Sequence, residues 1–78
     1  MTVPKLPLLS AAQLARALQK AGFELRRQSG SHLFFSHLDG RSTVVPNHSG
    51  EKIDRGLLNK VIRKDLRMER DEFLKLLD

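Results

Sequence analysis

Three histidines and no cysteine set the chemistry open to this 78-residue chain. An imidazole, with an unperturbed pKa of about 6.5, is the side chain best suited to proton transfer near neutral pH. It can take the proton of a ribose 2′-hydroxyl, and the oxyanion so formed can attack the adjacent phosphorus without a metal ion. His32 lies in RRQSGSHLFFSH, residues 26 to 37, directly after a Gly-Ser pair and at the mouth of an apolar run where another β-former would fit better. His37 ends that stretch, and His48 lies in PNHSGEK. Lone exposed histidines are also ordinary surface residues, so the decision rests on where the fold puts them. Thiolate zinc chemistry is excluded, and with dispersed carboxylates neither a metal site nor a cofactor is expected.

The charge points to a polyanion. Residues 1 to 64 carry eleven Lys and Arg against four acids, whereas residues 65 to 78 carry three against five, within a net +5. A basic body binds nucleic acid by releasing condensed counterions, without reading any sequence. The same charge is also compatible with a merely solvated surface. No apolar stretch approaches the roughly 20 residues of a membrane span. MTVPKLPLLS has two prolines where a signal peptide has an apolar region. A soluble, unprocessed, cytoplasmic single domain over residues 1–78 is therefore expected.

The elements that must position the histidines are legible in outline. Ser10 and Gln13 form a capping box, with Leu9 and Leu14 as the hydrophobic staple. Leu14, Ala17, Leu18 and Ala21 then recur at helical spacing, and Gly22 is placed as the left-handed stop. From Phe23 the period falls to two, predicting a strand to about Gln28. A turn at SGS, a strand from His32 to His37, an Asp39-Gly40 hairpin turn and a strand through STVV closed by Pro46 complete a meander. Asp54 caps a further helix, with Ile53 as staple and Leu57, Leu58, Val61, Ile62 and Leu66 on its apolar face. A short amphipathic segment, about Glu69 to Leu77 and without a convincing N-cap, buries Phe73, Leu74 and Leu77. The expected class is α+β, in the order α-β-β-β-α: a three-stranded antiparallel meander sheet with helices on one face, plus a short C-terminal helix. That is the plan of a double-stranded-RNA-binding domain.

A two-residue Asp39-Gly40 loop pairs Phe35 with Val44 and Phe34 with Val45, and it brings His32 opposite Asn47, beside His48. Leu33, Phe35 and Val44 then share one face, and His32, Phe34, Val45 and Asn47 share the other. A three-residue SGS loop adds Phe23 and Leu25 to the Leu33 face, which the helices are expected to cover. His32 then stands on the open face with Phe34, Val45, Arg26 and Gln28; a two-residue loop would flip the first strand. His32 and His37 point to opposite faces.

LARALQKAGFELRRQSGSHLFFSH, followed by TVVPNHSGEKIDRGLLNKVIRKDL, resembles the HicA (YcfA-like) toxin family of type II toxin-antitoxin systems. The helix ending in Ala-Gly-Phe, the triplet Gly30-Ser31-His32 and the Val-Pro-x-His run at residues 45 to 48 carry the resemblance, which covers residues 6 to 77. It implies a double-stranded-RNA-binding-like fold, ribosome-independent mRNA cleavage and inhibition by a HicB-like antitoxin, with the toxin monomeric when free and hetero-oligomeric with its antitoxin. It also implies that His32 is catalytic. The N-terminal MTVPK and the last helix vary in the family and carry no functional inference. Arg26 and Lys52 are the expected phosphate contacts, with Gly30, Ser31, Asn47 and His48 completing the RNA-binding set. Gly30 serves the turn or close backbone approach, and Ser31 a phosphate oxygen or the turn. His48 is either the acid for the leaving 5′ oxygen or a loop-positioning residue. Phe34 and Val45 offer an apolar spot for a base or for the antitoxin. The rival reading is a non-catalytic module that holds duplex RNA by shape.

Overall fold

Ser10 begins the first helix as its spacing requires. In the computed structural model, which describes residues 6–48 and 50–77, the Ser10 hydroxyl accepts from the Gln13 N–H (3.1 Å) and the Gln13 side-chain Oε1 accepts from the Ser10 N–H (2.8 Å). Residues 1–5, Ser49 and Asp78, and with them the MTVPK stretch, lie outside that description. Helix α1 runs Ala11–Lys20 and buries Ala11, Leu14, Ala17 and Leu18. It stops at Gly22, whose φ is +97°. A Cβ there would also sit 2.9 Å from the His37 Nε2. Gly22→Ala is expected to cost about 1–2 kcal/mol from the left-handed backbone alone. A urea midpoint equal to wild type would contradict this.

Three antiparallel strands follow in the order β1 (Glu24–Ser29), β2 (His32–Ser36), β3 (Ser42–Pro46). Both hairpin turns differ from expectation by one residue, in opposite directions. The first has only Gly30 and Ser31 between the paired residues Ser29 and His32, with positive φ at Gly30 (+57°) and not at Ser31. This is the pattern of a type II′ turn, which takes glycine first. A bulge then slips the register between Leu25 and Arg27, so that Leu25 still pairs with Phe35. Phe23 and Leu25 therefore keep the core-side phase, through a bulge and not through a longer loop.

The second turn has three residues, not two. His37 donates to the Arg41 carbonyl (2.8 Å) and Gly40 to the His37 carbonyl (3.0 Å). A two-residue type I′ turn needs positive φ at both central residues; here Gly40 has it (+98°) and Asp39 does not. The Asp39 carboxylate holds the longer turn by accepting from the Arg41 N–H (3.0 Å) and Nε (2.8 Å). The predicted pairing is thereby corrected: Phe34 lies opposite Val44, Leu33 opposite Val45 and His32 opposite Pro46. Val45 is buried, and Val44 is the residue left 38% exposed.

The Arg41 backbone N–H and then the Arg41 guanidinium, working against burial, hold the Asp39 carboxyl below its ordinary range. A group depressed on folding stabilises above its unfolded pKa, about 3.9, and loses that effect as pH falls through the folded value. The gap in urea midpoint between wild type and Asp39→Ala is expected to narrow below about pH 4. A gap constant down to pH 2 would contradict it.

Leu33, Phe35 and Val45 meet the helices on the covered face. Thr43 is also buried there, and its hydroxyl donates to Asp65 Oδ2 at 2.8 Å. Asp54 caps helix α2 (Arg55–Lys60) by accepting from the Leu57 N–H at 3.2 Å. The chain then widens into a π-helical turn, Val61–Asp65. Leu66 N–H bonds five residues back to Val61 (2.8 Å), and Val61, Ile62 and Leu66 are all buried. Arg67 ends this segment at φ +56°, and Met68 N–H reaches back to the Ile62 carbonyl. Helix α3 (Arg70–Leu74) does have a cap contact, because the Glu72 carboxylate accepts from the Glu69 N–H at 3.2 Å. No helix among the described residues is long and apolar enough to cross a membrane.

Candidate functional site

β2 is the central strand, so its first residue is bracketed on both sides: His32 pairs with Ser29 of β1 and Pro46 of β3. The residue is exposed, and its imidazole makes no hydrogen bond to another described residue. Alternation sends Leu33 and Phe35 into the core and leaves His32, Phe34 and Ser36 on the open face. Gly30-Ser31-His32 and Pro46-Asn47-His48 meet at this end, where the Asn47 N–H donates to the Ser31 carbonyl at 2.6 Å. The expected neighbourhood of the two segments holds; the residue opposite His32 is Pro46, not Asn47, because of the longer second turn.

A Cβ at Gly30 would meet nothing within 4 Å, so the surface above the turn is open as well as left-handed. Gln28 Nε2 donates to the Gly30 carbonyl (3.3 Å) from the edge, and its pairing with Leu33 puts it on the core-side phase, not beside His32. The His48 carbonyl accepts from the Glu51 N–H (3.1 Å). His48 and Lys52 line a groove beside the start of α1, along Ser10, Ala11 and Ala12. Lys52 is anchored there by a backbone bridge to Ser10.

Arg26, an expected phosphate contact, lies on the open face with His32, as expected, but toward the far end of β2. It occupies the bulge, donates through Nε to Ser36 Oγ (2.6 Å) and pairs with Glu24 (3.3 Å). Ser36 lies four residues along β2 from His32, roughly 13 Å at strand rise. The arginine nearer to His32 is Arg27, which pairs with Phe34 and carries its guanidinium 4.5 Å from that ring's centre. A two-residue Gly-Ser turn is the signal that would have found it.

His37 faces the other way and is structural. Its ring meets Phe23 edge-on at 5.1 Å, and its Nδ1 lies 3.0 Å from the Asp39 amide nitrogen and 3.1 Å from the Asp39 carboxylate. Arg41 completes this end by donating to the Leu66 carbonyl at 2.6 Å. Of the helix bases, Arg55 is more than a solvated charge, since its Nε donates to the Leu6 carbonyl at 2.9 Å. Among the described residues no group of three or more His, Asp or Glu side chains converges on a common point.

Chemically, the open end of the hairpin offers two exposed imidazoles, His32 and His48, neither of them hydrogen-bonded through its side chain to a described residue, a turn over which a backbone can pass closely, and cations on two sides. That arrangement can hold a phosphodiester and move a proton at it. A family model described as HicA toxin of bacterial toxin-antitoxin matches residues 11–66, from the first residue of α1 to Leu66 just past the π-helical turn, and so includes Gly30, Ser31, His32, Asn47, His48 and Lys52. No curated protein matches the chain.

Proposed function

The chain belongs to the HicA toxin family of bacterial toxin-antitoxin systems, and from that premise we propose that it is a metal-independent endoribonuclease that cleaves mRNA in the cytoplasm with His32 as general base. The observation that carries this reading is the placement of His32: exposed, at the end of the central strand, with no hydrogen bond to another described residue and beside an open glycine turn. In the neutral state His32 takes the proton of a ribose 2′-hydroxyl. The 2′ oxygen attacks the adjacent phosphorus, the bond to the 5′ oxygen breaks, and the leaving oxygen takes up a proton from His48 or water. The products are a 2′,3′-cyclic phosphate and a 5′-hydroxyl. Such a base contributes roughly 10² to 10⁴ in rate. Gly30, Ser31, Asn47, His48 and Lys52 bind the RNA around the turn, and Arg26, on the same open face, meets a phosphate farther along the strand.

The partner in this reading is a HicB-like antitoxin that binds the free, monomeric toxin into a hetero-oligomer and covers the face bearing His32 and Phe34. The test is incubation of the purified protein with a single-stranded transcript in excess EDTA. Fragments ending in a 2′,3′-cyclic phosphate are expected. RNA that is bound but stays whole would replace this reading with that of a non-catalytic RNA-binding module.

A further inference from the structure

The bulge at Arg26 leaves a second feature beside His32. It turns Arg27 onto the open face, where its guanidinium lies 4.5 Å from the centre of the Phe34 ring. Phe34 is two residues from His32 on the same strand and the same face, about 7 Å away at strand rise. The neighbouring arginines are committed: Arg26 to Glu24 and Ser36, Arg41 to Asp39 and Leu66. Arg27 has no ion pair or side-chain hydrogen bond with a described residue, and its guanidinium sits over the aromatic ring.

A guanidinium laid over a ring is flat, cationic and weakly hydrated. Those properties suit a nucleobase stacked on the plane with its phosphate alongside. A lysine offers the charge without the plane. A base inside an A-form duplex cannot present its face to such a plane, whereas an unpaired one can.

We propose that Arg27 and Phe34 form a stacking platform for an unpaired RNA base next to the bond whose cleavage His32 promotes as general base, and that this platform restricts the substrate to single-stranded RNA. The proposal rests on the reading of His32 as the cleaving group. It adds the residues that select the substrate.

The test uses the full chain carrying His32→Ala, which leaves RNA uncut, and measures binding of a labelled oligoribonucleotide free and annealed to its complement. In that background Arg27→Ala and Phe34→Leu are expected to weaken single-strand binding roughly 10-fold, with Arg27→Lys recovering little of the loss. Duplex binding should move less than about 3-fold, the effect of removing one cation from a surface that meets several phosphates. With His32 present, Arg27→Ala is expected to raise KM more than it lowers kcat. Unchanged single-strand binding, an equal loss on duplex and single strand, or full rescue by lysine would each overturn the platform. A loss confined to binding of the antitoxin would overturn it too, making the pair a protein-docking spot. If the chain with His32 does not cut RNA but the binding losses appear as described, the platform stands and the cleavage reading falls.

Discussion

His32→Ala is expected to lower RNA cleavage by roughly 10² to 10⁴ while moving folding stability by less than about 0.5 kcal/mol. The two halves of this expectation come from one observation: the imidazole is exposed and hydrogen-bonds no described residue, so its removal opens no cavity and leaves no polar partner stranded. Its loss can only be felt by a bound ligand. His37→Ala provides the opposite pattern. That ring packs edge-on against buried Phe23 and borders Asp39, so its removal should cost about 0.5–1.5 kcal/mol and leave cleavage within a few-fold. Initial rates in EDTA and urea midpoints on the same two preparations check both. Equal cleavage by wild type and His32→Ala would end the general-base assignment.

The largest stability effect is expected at the far end of the chain. Phe73 is 0% exposed and belongs to the same core as Leu14, Leu58 and Leu66. Truncating such a ring costs about 3–5 kcal/mol, from lost transfer energy and the cavity left behind. At 0.05–0.15 kcal/mol per residue the whole domain holds only about 4–12 kcal/mol, so Phe73→Ala should unfold a substantial fraction of the protein. Leu25→Ala is the control: its side chain is 47% exposed, and the expected loss is below about 1 kcal/mol. A Phe73→Ala midpoint close to wild type would mean that α3 is not packed on the core.

Wherever one local rule acts alone, the fold was legible. The Ser10-Gln13 box, the Asp54 cap, the Gly22 stop and the buried stripes of α1 and α2 follow from side-chain spacing. The face that the helices cover also followed, from the phase of Leu33 and Phe35. Turn length was not legible, because Asp-Gly serves both the two-residue and the three-residue hairpin. The choice depends on Asp39 gripping Arg41, an interaction between side chain and backbone that composition does not announce. That one residue exchanged the roles of Val44 and Val45. The bulge put Arg27 on the open face as well, nearer to His32 than Arg26. Leu25 keeps the inward phase yet stays half open, since α1 and the π-helical turn pack over β3 and leave the margin at β1 bare. The left-handed Arg67 had no signal at all, a glycine being the usual occupant.

The extra residue in β1 lets one short strand keep two beats. Before it, Phe23 and Leu25 count time with the hydrophobic interior; after it, Arg27 and Ser29 count with His32. A strand of unbroken alternation would have to surrender one of these, turning either the arginine inward or the phenylalanine out. The irregularity is thus what allows inward packing and the open face beside His32 to be tuned independently over residues 23 to 29.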